Sequence, residues 1–110
     1  MSTMPVDAVK ADIALDMLRD CLNGGNVIPG KHFRDELANE AMTIPDAWQV
    51  LRSGCISKPP ERDLKSGEWK YTVEGYASDG IWLCIVFSFK QVNEAYLITA
   101  FSVETKRRTV

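Results

Sequence analysis

The chain has 110 residues, 45% of them hydrophobic and 25% charged, with a formal net charge of −2. That length allows one domain, and its apolar content supports a core without disulfides or metal. No run reaches the roughly 18 apolar residues of a membrane span, no basic-then-apolar leader opens the chain, and the charge is too balanced for a disordered tail.

The first half reads as helices. Ile13, Met17 and Cys21 recur at i, i+4 and i+8, with Ala14, Leu18 and Leu22 beside them and Asp12, Asp16, Arg19 and Asp20 opposite. This predicts an amphipathic helix over 7–22, stopped by Asn23-Gly24-Gly25-Asn26, residues that tolerate helix-ending conformations. A second helix is expected over 31–42, with Phe33, Leu37, Ala38 and Ala41 as its apolar stripe. His32, Glu36 and Glu40 form a neighbouring ridge on it. Thr43 is the expected N-cap of a third helix, with Asp46 completing a capping box and Pro45 in the first turn. Ala47, Val50 and Leu51 supply its buried side, and Gly54 its stop.

The period then changes. Residues 55–58 read as a short extended piece ended by Pro59-Pro60, and 61–67 as a polar loop carrying Arg62 and Lys65. From Trp69 the pattern alternates, with Trp69, Tyr71 and Val73 on one face and Lys70, Thr72 and Glu74 on the other, a strand with one wet face. Ser78-Asp79-Gly80 signals a turn. Residues 81–89 are apolar on both faces, which marks a central strand, and 95–103 form a last strand after Asn93-Glu94. The expected fold is α+β: three N-terminal helices packed on a mostly antiparallel sheet of about four strands.

Residues 1–50 carry 4 basic and 8 acidic side chains, residues 51–110 carry 9 and 7. The positive side gathers at Lys58, Arg62, Lys65 and Lys70, and at Lys106, Arg107 and Arg108. Such separation suits an anion on one face and a basic partner on another; it is also what ordinary solvated surface looks like. Three cysteines, Cys21, Cys55 and Cys84, lie far apart in no C-x-x-C spacing. Free thiols in a reducing cytoplasm are the simplest account, and no zinc site, metal or cofactor is expected.

A set of motifs runs from His32 to Val103: a histidine opening a helix, I-x-D (Ile44, Asp46), L-x-x-G (Leu51, Gly54), a Y-x-V-x-G strand (Tyr71, Val73, Gly75), an apolar strand, and a closing ITAFSV (Ile98 to Val103). In order and spacing it resembles the domain-of-unknown-function 4258 family, small proteins related by fold to the RelE, ParE and BrnT toxins. The resemblance divides the single domain into an N-terminal helical extension (1–30), a RelE-like core (31–103) and a basic tail (104–110). It implies a sheet face that binds RNA, metal-independent cleavage in some relatives, a protein target in others, and an antitoxin-like partner. Where the family pattern has basic side chains four and eight residues after the histidine, this chain has Glu36 and Glu40.

Two functions are therefore expected. In a toxin-like endoribonuclease, His32 would serve as acid or base, Glu36 would orient it, and Arg62 and Lys70 would meet the phosphate. Lys58, Lys65, Tyr76, Lys106, Arg107 and Arg108 would bind around them. Each has a plainer reading: His32 as a helix-start residue, the cations as solvated charge, and Tyr71, Trp48 and Trp82 as core. In the alternative, the same fold is a non-catalytic module that binds a protein through its sheet or a strand edge, with a homodimer through the terminal strand as a further possibility.

Overall fold

The computed structural model describes residues 7–77 and 80–103. Helix α1 spans Ala11–Asn23, strand β1 Asn26–Pro29, helix α2 Lys31–Asn39, helix α3 Ile44–Ser53, strand β2 Glu61–Arg62, strand β3 Trp69–Tyr76, strand β4 Trp82–Gln91 and strand β5 Glu94–Val103. Ser78 and Asp79 of the expected turn, and the basic tail, lie outside the described residues.

The α+β class holds, with two corrections to the architecture. The helices are not all N-terminal to the sheet, because β1 falls between α1 and α2. The sheet has five strands rather than four, in the order β1-β5-β4-β3-β2, and it is mixed: β1 pairs parallel to β5 while the other pairs are antiparallel. β4, the strand apolar on both faces, takes the central position. β5 is interior where β1 pairs with it at 94–97, so the chain's last described strand is no free edge there.

Local chemistry sets the boundaries. α3 carries the expected capping box: Thr43 Oγ1 accepts from the Asp46 N–H, and Asp46 Oδ2 accepts from the Thr43 N–H at 2.9 Å. α2 ends earlier than its apolar stripe suggests. Its terminal turn closes with the Met42 N–H on the Leu37 carbonyl (3.0 Å) and Ala41 in the left-handed region at φ 57°.

Each helix buries a stripe on one side of the sheet. Ala14, Leu18 and Cys21 of α1, Phe33 and Leu37 of α2, and Ala47, Val50 and Leu51 of α3 share one core with Tyr71, Val73, Leu83, Ile85, Phe87, Phe89, Ala95, Leu97 and Ala100 of the strands. Burying each of the larger side chains contributes roughly 1.5–3 kcal/mol. Tyr71 stacks on Phe87 at 5.6 Å and meets Phe89 edge-on at 5.5 Å, and its hydroxyl accepts from the Val9 N–H, tying down the approach to α1. Arg19 of α1 donates to the Gly54 carbonyl at the end of α3. Thus α1, within the segment marked off as an extension, packs into the same core as the sheet.

Candidate functional site

Because side chains alternate along a strand, burying one set against the helices turns the other set to the opposite face. Cross-strand register arranges that face in rows. Tyr76, Trp82 and Val103 form one; Cys55, Glu74, Cys84 and Phe101 the next; then Thr72, Val86 and Thr99; then Lys70, Ser88 and Tyr96. Phe101 is 44% exposed. A bulge between Val86 and Phe87 adds Ile98 to this face beside Thr99.

The segment leading into β2 shapes one side of the face. Cys55 pairs with Glu74 through two backbone hydrogen bonds of 2.9 Å, and Glu61 pairs with Lys70. Five residues, 56–60, thus stand against three, 71–73, so the segment arches. Pro59 and Pro60 have no N–H to continue the ladder. Lys58 and Pro59 are carried over the sheet, where with Glu61, Lys70, Thr72, Val86, Ile98 and Thr99 they line a hollow of about 200 Å³.

Charge within this hollow is balanced. Glu61 shares it with Lys58 and Lys70, and Asp63 Oδ2 lies 3.7 Å from Lys70 Nζ. The backbone N–H groups of Ser66 and Lys65 donate to Asp63 and hold its carboxyl below the ordinary carboxylate range, with Lys70 adding to the effect. Two ammonium groups therefore meet two carboxylates.

A second hollow, about 300 Å³, opens around Glu74 and is lined by Gln49, Ser53, Gly54, Cys55, Gly75, Tyr76 and Trp82. Glu74 is only 6% exposed. It accepts from the Trp82 indole N–H at 3.0 Å and the Ser57 hydroxyl at 3.4 Å. Tyr76 and Trp82 meet edge to face, with centroids 4.8 Å apart.

The residues singled out by sequence are divided among these surfaces. Lys58, Lys70 and Tyr76 come together on the face just described. His32 and Glu36 do not join them. They stand on α2, whose Phe33 and Leu37 pack into the core on the helical side, and neither lines either hollow. Arg62 is exposed on β2 opposite Trp69, one residue out of phase with Lys70, and Lys65 is exposed in the loop that follows. Glu40, which stands where the resembled pattern has a basic side chain, is a structural tie: its carboxylate accepts from the Ser102 N–H (3.3 Å) and hydroxyl (2.6 Å). Lys106, Arg107 and Arg108 lie outside the described residues. Trp82, expected in the core, is half-buried on the face opposite the helices, while Tyr71 is buried as expected.

Glu74 and Ser57 were missed. The alternation assigns Glu74 to the wet face, and nothing local tells that Ser57 reaches its carboxylate. Among the described residues no three His, Cys, Asp or Glu side chains are grouped to hold a metal ion, and no helix is long and apolar enough to cross a membrane. Compared with protein-family models, with curated proteins and with solved structures, the chain matches none.

Proposed function

We propose that this chain is a non-catalytic interaction module that docks a protein partner on the sheet face opposite its helices. One observation carries the reading: among the described residues the three helices cover one side of the sheet, while Tyr76, Trp82, Val86, Ile98 and Phe101 adjoin one another on the other. Aromatic and aliphatic groups at the centre with charged groups at the rim are the make-up of a protein interface. The edges are less suited to pairing. β1 has four residues and ends in Pro29, and β2 has two residues preceded by Pro59-Pro60. Short, proline-blunted edges resist strand addition. An antitoxin-like protein would fit such a face. Three cysteines far apart in no C-x-x-C spacing suit a reducing compartment, and we place the module in the cytoplasm.

The test is capture of a stoichiometric complex by tagged protein, with Phe101→Asp and His32→Ala in parallel. The docking reading expects Phe101→Asp to lose the complex and His32→Ala to keep it. A complex that survives Phe101→Asp, or a strictly monomeric mass with no stoichiometric partner, counts against it; a doubled mass lost in Phe101→Asp makes the partner a second copy.

The toxin-like, metal-independent ribonuclease is the second reading, favoured by Lys58 and Lys70 lining one hollow beside two threonine hydroxyls. It needs His32 as acid or base, Glu36 as its orienter, and Arg62 and Lys70 on the phosphate. It stands second because His32 and Glu36 belong to the helical layer and Lys70 to the other face. RNA degradation in EDTA that disappears in His32→Ala would put it first.

A further inference from the structure

We infer that the hollow bounded by the 56–60 arch is a binding site for a free aliphatic α-amino acid, held as its zwitterion. Of the charged groups here, Lys70 is answered by Asp63 at 3.7 Å. Lys58 and Glu61 also line the hollow, yet they form no ion pair with each other or with any other described residue. One ammonium and one carboxylate in a shared space give no net sign for a simple anion to follow. They suit a ligand that carries both charges itself.

The sheet edge adds a second pair of opposite polarity. Cys55 and Glu74 exchange both backbone hydrogen bonds at 2.9 Å, so the N–H and C=O of Glu74 point away from β4. Alternation along the strand turns those of Thr72 the same way. No backbone hydrogen bond from residues 56–60 reaches them, and Pro59 and Pro60 have no N–H to offer. Thr72 lines the hollow, and its N–H and C=O are groups that need partners. An α-amino acid carries its carboxylate and ammonium on one carbon, as a neighbouring strand residue carries its C=O and N–H. Val86 and Ile98, both half-buried, supply an apolar floor for the ligand's side chain, and Thr72 and Thr99 supply hydroxyls. At about 200 Å³ the space lies below the roughly 300 Å³ at which sites for drug-sized ligands begin. That excludes a nucleotide and suits an amino acid such as valine. This site does not rest on the docking reading, because it needs no partner protein.

The probe is L-valine, titrated into the full chain while backbone amide resonances are followed by NMR. We expect the Thr72 amide and its neighbours on β3 to shift saturably. Isovalerate, which lacks the ammonium, isobutylamine, which lacks the carboxylate, and glycine, which lacks the side chain, should each bind at least tenfold more weakly. Lys58→Met and Glu61→Gln, both at exposed positions, should each weaken valine binding at least tenfold. Should either variant fail to fold, the contrast between valine and its three analogues in the unaltered protein decides. No saturable shift with valine, an analogue that binds as tightly as valine, or unchanged binding in both variants overturns the site. Isovalerate as the equal of valine would make the hollow a plain anion site instead. None of these failures touches the docking reading, which the Phe101→Asp experiment tests by itself.

Discussion

Gly54 and Gly75 pack backbone against backbone: a methyl placed on Gly75 would stand 3.1 Å from the Gly54 Cα, and one on Gly54 would stand 2.6 Å from the carbonyl oxygens of both Glu74 and Val50. Neither glycine has positive φ, so the requirement is for space and not for conformation. This approach lets the end of α3 reach β3, where Cys55 pairs with Glu74 and the arch over the sheet begins.

Alanine at either position should therefore destabilise, and more at Gly54, where two fixed carbonyls are in the way. Overpacking of this kind costs about 1–3 kcal/mol, which for a domain this size lowers Tm by roughly 5–15 °C. Thermal melts of Gly54→Ala, Gly75→Ala and the pair check it. Because both methyls enter one interface, the double variant should lose less than the sum of the two. Full additivity would show that the two glycines act separately.

These glycines also show where a sequence is legible. L-x-x-G and Y-x-V-x-G can be read as separate local signals, a helix stop and a strand residue, but only the fold reveals that they touch. Residues 69–76 were readable because a half-buried strand repeats every two residues, and Thr43 with Asp46 because a capping box lies within one turn. β1 was not, since its four residues gain strand character only from parallel pairing with β5, far along the chain. The same holds for the site. Alternation separates Lys70, Thr72 and Glu74 from Tyr71 and Val73, yet it does not say which face the helices cover. Nor does it say that Glu74 is buried and accepts from Ser57 and Trp82.

Ala41 ends α2 at φ 57°, a conformation that costs an L-residue with a Cβ about 1 kcal/mol or more and glycine nothing. Its side chain is exposed, so little packing is lost by removing it. Ala41→Gly should raise stability by about 0.5–1 kcal/mol, net of the extra freedom glycine has when unfolded. Denaturant midpoints at constant m-value measure this. A lower midpoint would mean that the left-handed turn is not what ends the helix.

Glu40 joins the last turn of α2 to β5 through Ser102. Hydrogen bonds to a charged acceptor contribute about 1.5–3 kcal/mol where solvent is partly excluded. A double-mutant cycle with Glu40→Ala and Ser102→Ala should show a coupling of about 1 kcal/mol, while Glu40→Gln, which can still accept the Ser102 N–H, should lose less than Glu40→Ala. If Glu40 instead served only to repel anions, its replacement would leave stability unchanged and the coupling would vanish.

Asp63 ties the loop between β2 and β3 to the sheet, accepting from the N–H groups of Lys65 and Ser66 and facing Lys70. Those N–H groups, with a smaller contribution from Lys70, hold its carboxyl below the usual range in the folded chain. A depressed carboxylate stabilises above its unfolded value, near pH 4, and that contribution is lost as pH falls through the folded value. Because the group is open to solvent, the effect is small and screened by salt. Asp35, lowered by the Lys31 ammonium beside it, contributes in the same direction. Melting temperatures from pH 6 down to about pH 2, at low and high salt, should fall with acid in the unaltered protein and fall less steeply in Asp63→Asn. Asp63→Asn should also leave Lys70 without its loop carboxylate and make the hollow with Lys58 more positive. Sulfate should therefore stabilise the variant more than the parent; an equal gain in the two would show that Asp63 does not govern the charge of that hollow.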